Sequence, residues 1–371
     1  LSMHLVFWQP IPSFHQEGFL CALAQADWVD SVTLKYESEL PANRRQSGWR
    51  DGNFQGVKLE QIRTAELPEN TAAHIHIFTG FQTHPMIWAA FHRLPRVAQC
   101  RRFAFAEAPE SIGLKGILRR VKYQVASRRI APRLDGMLAL GQLGVDFYRS
   151  LLPNSVPVHE FAYYDVSDAV ICTLNCSDAG SHQASAGNDQ PATNNQQPAT
   201  PYCFLYVGQL IRRKGVDRLL RSLAAVPSRE WTLEVVGEGS EKAALQQLGS
   251  SLGISEKLHW HSRVPSAELH AYYQRADCLV LPSRWDGWGM TVNEALRYGC
   301  AVLVSQTCGA ASAAPETAQL PRNTKLWANS LAAKIDGGVL GASARAANQQ
   351  SVKSLSGEAG VERLKTILSA N

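Results

Sequence analysis

No Cys-x-x-Cys pair occurs in this chain, and no apolar run approaches the roughly 18 residues that a membrane-crossing helix needs. The eight cysteines (Cys21, Cys100, Cys172, Cys176, Cys203, Cys278, Cys300, Cys308) are scattered. Zinc ligation therefore lacks its spacing, and a disulfide framework is not expected of so long a chain. Cys203, Cys278 and Cys300 sit in apolar strand-like runs, where cysteine serves as a small hydrophobe. A secretory signal needs a basic stretch and a longer apolar segment than this amino terminus offers. Leu1-Ser2-Met3-His4 runs straight into the apolar Leu5–Trp8, with Leu1-Ser2 read as an addition ahead of a native Met3. A cytoplasmic protein is expected, peripheral on the inner face of a membrane if it meets one. Charged residues make up only 19%, hydrophobic ones 45%, and the net charge is +5, which reads as globular and mildly basic.

At 371 residues the chain exceeds what one core fills, so two domains are expected. Strand-like runs at 4–8, 31–36, 74–78, 103–106 and 136–140 alternate with helical stretches, the pattern of an α/β unit with a mostly parallel sheet. From Cys176 to Pro201 Ser, Ala, Asn, Gln, Thr, Pro and Gly take over, a flexible insertion too polar to pack. Strands resume at Tyr202–Val207, Trp231–Val236, Leu258–His261, Cys278–Leu281 and Cys300–Ser305, with helices between them, giving a second doubly wound unit. The expected division is 1–165, a linker at 166–201, 202–350, and a terminal helix at 351–371. Doubly wound sheets bind ligands at the carboxyl ends of their strands, so the turns at 208–215, 237–239, 262–265 and 282–291 are the places to look.

The stretch Leu281-Pro-Ser-Arg-Trp-Asp-Gly-Trp-Gly-Met-Thr-Val-Asn-Glu294 ends a strand, turns on two glycines and opens a helix with Thr291 as the expected N-cap. Amides of Gly289 to Val292 would then face outward from a positive helix end, suited to a diphosphate. Asp286 and Glu294 bracket this turn with no obvious local cation. The plain alternative is a capping box from Thr291 to Glu294, with Asp286 a turn-former. A second turn, Val207-Gly208-Gln209-Leu210-Ile211-Arg212-Arg213-Lys214-Gly215, sets three cations beside a helix start, able to clamp phosphate or simply to sit solvated.

Taken in order, Gly208…Lys214-Gly215, Val236-Gly237-Glu238-Gly239, Tyr272…Ala276-Asp277, Pro282-Ser283, Asp286-Gly-Trp-Gly…Glu294-Ala and Gly299 resemble the donor domain of GT-B glycosyltransferases of family 4, the glycosyl transferases group 1. The likeness covers about 203–311 and extends weakly through the first half. It implies two facing Rossmann-like domains, an N-terminal acceptor half and a C-terminal donor half, with a nucleotide-sugar cleft between them. It further implies retaining transfer from a UDP- or GDP-linked donor to a glycan, glycolipid or other hydroxyl acceptor in polysaccharide or glycolipid assembly. By that likeness Asp286 meets donor sugar hydroxyls, where glutamate is commoner, and Glu294 holds the ribose. Gly287, Trp288, Gly289, Met290 and Thr291 line the sugar and diphosphate. Lys214 binds the diphosphate, Gly208 and Gly237 belong to the donor-binding turns, and residues near Arg263 and Val264 hold the base. The family arginine after the turn glycine is Gln209 here, leaving Arg212 or Arg213 as substitutes. No Asp-x-Asp pair is present to carry a divalent cation, so metal-independent transfer without any cofactor is expected, lysine and amides stabilising the leaving group. Gln209 and the glycine-poor loop before Gly18 keep two alternatives open: a nucleotide-sugar epimerase or hydrolase, and a non-catalytic sugar-nucleotide binding protein.

On the acceptor side His15 and Glu107 are the cleft candidates, while His74, His76 and His84 match no family position. Between Leu114 and Arg133 stand seven Lys or Arg and no acid, with Leu114, Ile117, Leu118, Val121, Val125 and Ile130 at roughly helical spacing. Such a segment is either an anionic-membrane surface element or a core-facing helix with a solvated basic face. Nucleic acid is not expected, since no module for it accompanies the charge.

Overall fold

The computed structural model describes residues 3–45, 49–62, 74–80, 84–111, 113–165, 201–227, 230–265 and 268–370. The polar insertion, apart from Pro201, and most of the linker expected at 166–201 lie outside the described residues.

Thirteen described strands form two separate parallel sheets. In the first, β1 (Met3–Gln9), β2 (Val29–Tyr36), β3 (Val57–Gln61), β4 (His74–Thr79), β5 (Arg101–Ala106), β6 (Gly136–Leu140) and β7 (Val158–Phe161) lie in the order β3-β2-β1-β4-β5-β6-β7. In the second, β8 (Tyr202–Val207), β9 (Trp231–Val236), β10 (Leu258–His261), β11 (Cys278–Leu281), β12 (Ala301–Ser305) and β13 (Gln319–Leu320) lie in the order β10-β9-β8-β11-β12-β13. Both orders reverse once, between β1 and β4 and between β8 and β11. Each reversal splays the loops on either side and opens a crevice at the strands' carboxyl ends.

Helices cover both faces, so the inner strands have no polar side. Every residue of β6, β11 and β12 is buried. Along β1, Leu5 and Phe7 join one core while Val6 and Trp8 join the core on the opposite face, the period-two alternation of a pleated strand. The core holding Leu5 and Phe7 runs on without a break into that of the second sheet.

The chain also crosses back. Helix Gly357–Ser369 packs on helix Glu17–Gln25 so closely that a Cβ at Gly357 would overlap the Gly18 carbonyl. Arg363 donates from Nε and Nη2 to the Glu160 carbonyl, 3.1 Å each, and Arg101 Nη1 donates to the Leu368 carbonyl at 2.8 Å. The two halves are thereby held with the carboxyl ends of their strands facing one another.

Candidate functional site

A cleft of about 790 Å³ lies between the halves. From the first half it receives His15, Trp49 and Glu107; from the second, the turns after β8, β9, β10 and β11.

Two of those turns touch. Arg284 N–H donates to the Arg213 carbonyl at 2.8 Å, joining the loop after β11 to the loop after β8. Gly215, with φ +71°, sits where a Cβ would overlap the Pro282 carbonyl, so only glycine lets the loops meet. Across this junction Lys214 Nζ lies 2.5 Å from Asp286 Oδ2, and an Arg213 guanidinium nitrogen 3.7 Å from Asp286 Oδ1. The expectation that Asp286 lacks a nearby cation is therefore corrected: Lys214 comes from 72 residues upstream and Arg213 precedes it. The Asp286 backbone is clamped as well, its N–H donating to the Thr307 carbonyl at 3.0 Å and its carbonyl accepting from Gly309 N–H at 3.2 Å.

Of the paired candidates Arg212 and Arg213, only Arg213 lines the cleft. It also donates to the Trp285 carbonyl at 2.8 Å. The Arg212 side chain is exposed away from the cleft wall, a correction that follows from the tight turn at 212–214, which points neighbouring side chains apart. Gly208, Gln209, Gly237, Arg263 and Val264 line the wall below, toward the ends of β8, β9 and β10.

Helix Thr291–Arg297 begins one residue earlier than expected. Thr291 is its first helical residue, and the preceding Met290 has helical dihedrals (φ −52°, ψ −28°) and makes no side-chain cap. Neither the Thr291 cap nor the capping box exists. The Val292 amide is not free for a ligand either, since it donates to the Gly289 carbonyl at 3.0 Å. The Thr291 hydroxyl is instead a buried group with no hydrogen-bond partner among the described residues, on the cleft wall beside Trp288, Gly289 and Met290. Glu294 Oε2 accepts from the Tyr273 hydroxyl at 2.5 Å. Tyr273 is fully buried and stacked on Tyr298, so the acceptor position of that carboxylate is fixed by packing. Burial pushes Glu294 up to about 7, and the Asp165 carboxylate adds to this, while Tyr273 and Arg297 pull the other way.

Facing this wall is Glu107, just beyond the end of β5. Its side chain is open to the cleft yet lies between the two halves, where crowding by protein raises its pKa. The Asp286 carboxylate raises it further, against the pull of Tyr163, Lys214 and Arg213. The Tyr163 hydroxyl donates to Glu107 Oε1 at 3.1 Å. Gly287 is not part of the cleft wall; a Cβ there would overlap Glu107 Oε2, so the donor-side loop and the acceptor-side acid are in contact. His15, in a short turn at Phe14–Gln16, packs edge-on against Trp49 with ring centroids 4.8 Å apart. Burial, then Arg44, Arg50 and Arg297, lower its pKa to about 4, so it is neutral at pH 7. Of the other histidines, buried His76 accepts from Trp8 Nε1 at 3.1 Å, and His84 lines the cleft 3.6 Å from Glu37.

Two residues without a part in the sequence reading organise the site. Fully buried Asn293 donates to the Tyr163 carbonyl at 2.9 Å and to Asp165 Oδ1 at 2.7 Å, and accepts from Trp288 Nε1 at 3.0 Å. Tyr163 in turn holds Glu107 and meets the Trp288 ring edge-on at 5.8 Å. An Asn one residue before an acidic motif position is a weak signal, and nothing local marks Tyr163.

Residues 189–327 match the family model described as Glycosyl transferases group 1. The GDP-mannose-dependent alpha-(1-6)-phosphatidylinositol monomannoside mannosyltransferase of Mycolicibacterium smegmatis is 34% identical over 119 residues, covering 30% of this chain and 30% of that protein. The lipopolysaccharide 1,6-galactosyltransferase of Salmonella typhimurium is 33% identical over 103 residues, 27% of this chain and 28% of the other. The match thus spans less than a third of either relative's length. Over its whole length the chain is similar in fold to the lipopolysaccharide outer core galactosyltransferase WaaB apo form, with a TM-score of 0.67, 15% identity and full coverage of both chains. It is likewise similar to Anabaena Alr3699/HepE in complex with UDP, at a TM-score of 0.62, 14% identity and full coverage of both. Both halves together take the GT-B fold.

Proposed function

We propose that this protein is a retaining, metal-independent glycosyltransferase that moves a sugar from a UDP- or GDP-linked donor to a hydroxyl of a glycan or glycolipid acceptor. The observation that carries the reading is the Lys214–Asp286 pair, set at the contact of two ligand-binding loops in a cleft of about 790 Å³, a size that suits a nucleotide sugar. The matched relatives, named for transfer to a phosphatidylinositol mannoside and to lipopolysaccharide, support the substrate class.

In this mechanism Lys214 and Arg213 bind the diphosphate, and the unpaired Thr291 hydroxyl gains a partner there. Asp286 gives up part of its ion pair to accept from the sugar hydroxyls, and Glu294 accepts from the ribose. The bond between the anomeric carbon and the diphosphate oxygen breaks as charge develops on that oxygen, where two fixed cations are worth most. The acceptor hydroxyl attacks the same face, forming the new glycosidic bond and passing its proton to the departing diphosphate. Glu107 and neutral His15 lie across the cleft, where they orient the acceptor by hydrogen bonds. Lysine and arginine supply the charge that a divalent cation would otherwise bring.

The test is turnover of a nucleotide-sugar panel with glycan and glycolipid acceptors, read by mass spectrometry and by the anomeric configuration of the product. Retained configuration and activity unchanged by EDTA are expected. Loss in EDTA with recovery in manganese would overturn the metal-free assignment, and conversion of donor at equal rates without acceptor would replace transfer by epimerisation or hydrolysis.

A further inference from the structure

Helix Gly113–Ile130 is inside out. It carries five of the ten large hydrophobic side chains exposed among the described residues: Leu114 (82%), Ile117 (60%), Leu118 (71%), Val121 (55%) and Val125 (45%). At about 100° of turn per residue these five fall in one stripe about 100° wide, the width that ordinary surface helices turn toward the core. The buried residues Gly116, Ala126, Ser127 and Ile130 occupy the opposite side and are mostly small. A Cβ at Gly116 would overlap the Ser111 backbone of the segment leading into the helix, and with Ala126, Ser127 and Ile130 buried the helix rests on its small side and turns its large one outward. The core-facing alternative holds for Ile130, which is buried in the core, and is corrected for the other five apolar positions.

The helix bears six cations and no acid. By the same angular count, exposed Lys115, Lys122 and Arg129 flank the stripe on one side and exposed Arg120 on the other, while exposed Arg128 continues the line of the stripe past Val125, its last apolar residue. Arg119 is turned inward, donating to the Glu110 carbonyl at 2.7 Å. An apolar stripe between two cationic flanks has the form of a helix lying in a lipid headgroup layer, with side chains below the surface and cations at the phosphates. Pairing with a second copy would set cations against cations. Nucleic acid would match the charge and leave the stripe in water.

We infer that helix Gly113–Ile130 seats the protein on an anionic phospholipid bilayer and that the acceptor is lipid-linked, entering the cleft from that surface. Tyr123, on the inward side of the same helix, lines the cleft, so bilayer face and acceptor half are separated by one helix diameter. The seating rests on the helix alone, whereas the acceptor's class rests on the transferase reading above.

Cosedimentation with phosphatidylcholine vesicles, with and without phosphatidylglycerol, tests the seating without any activity. Binding only to the anionic vesicles, weakening as salt is raised, is expected. Exchanging Lys115, Lys122, Arg128 and Arg129 for glutamine removes roughly fivefold per cation, a loss of about 600-fold in partitioning. Ile117→Ser with Leu118→Ser, leaving every charge in place, costs at least about tenfold. Circular dichroism and nucleotide-sugar binding should be unchanged in both variants, since neither touches the cleft. A wild type that ignores anionic vesicles at low salt, or vesicle binding that survives both variants, overturns the inference, as does a dimer in solution that those serine changes dissolve. Vesicle binding without any nucleotide-sugar binding would leave the seating intact and sink the transferase reading instead.

Discussion

Lys214 Nζ stands 2.5 Å from Asp286 Oδ2, with side-chain exposures of only 15% and 12%. The reading of the 212–214 cations as a solvated basic loop fails at this residue. Removing one partner of a largely buried pair leaves the other charge without compensation, which costs more than the pair itself contributes. Lys214→Ala is therefore expected to destabilise the fold by about 2 kcal/mol, less than the full penalty for a buried pair because Arg213 remains 3.7 Å from Asp286. It should also abolish nucleotide-sugar binding. Adding Asp286→Asn to Lys214→Ala should restore much of the stability and none of the binding. Chemical denaturation of the two variants, with calorimetric titration of a nucleotide sugar, reads both effects. Unchanged stability and affinity in Lys214→Ala would show that the pair is incidental.

Gly287 and Glu107 meet where the two halves face each other across the cleft. A methyl group at Gly287 would occupy the space of Glu107 Oε2. The end of a glutamate side chain yields more readily than backbone, so Gly287→Ala is expected to cost under about 1 kcal/mol of stability, well short of an overpacked core. Glu107 would be pushed off the Tyr163 hydroxyl, and transfer should fall at least tenfold in kcat with donor KM nearly unchanged. A parallel rise in donor KM would place the damage in the donor loop instead of at Glu107.

Much of this was legible along the chain because parallel strands buried on both faces write themselves as apolar runs. Tyr202–Val207 and Cys278–Leu281 were expected and are found at those bounds. Strands β3, β7 and β13 escaped because they are short and polar: Val57-Lys-Leu-Glu-Gln alternates at an edge, Val158-His-Glu-Phe holds one buried residue, and β13 is two residues long. At the site, Gly215, Lys214, Asp286 and Glu294 announce themselves by motif, yet motif order says nothing of what pairs across 72 residues. Spacing could not choose between Arg212 and Arg213, which a single turn points in different directions. The apparent capping box fails because the buried Tyr273 hydroxyl takes the Glu294 carboxylate, and a Tyr 21 positions away leaves no local trace. The Asn293–Tyr163 bond, 130 positions apart, exists only once the halves have met.

Glu294 supplies the pH dependence. Its pKa stands near 7 against an ordinary 4.5, raised chiefly by burial. A carboxyl group raised on folding stabilises the folded state most below pH 4.5, and that contribution is lost as pH rises through 7. Ligand binding runs the other way. Ribose hydroxyls donate, so the site needs the carboxylate, and the proton must leave as the donor enters. Nucleotide-sugar affinity is thus expected to increase about tenfold between pH 6 and pH 8, with release of up to one proton. A nucleotide sugar is the ligand to use, because the terminal phosphate of a free nucleoside diphosphate titrates in the same range. Glu294→Gln should lower the affinity and flatten its pH profile. Tyr273→Phe should move the midpoint to higher pH, since the lost hydrogen bond favours the charged form. Calorimetry in two buffers of different ionisation enthalpy counts the protons directly. A wild-type affinity that stays flat across this range, or a slope that persists in Glu294→Gln, would take Glu294 out of the ribose site and leave it a structural partner of Tyr273.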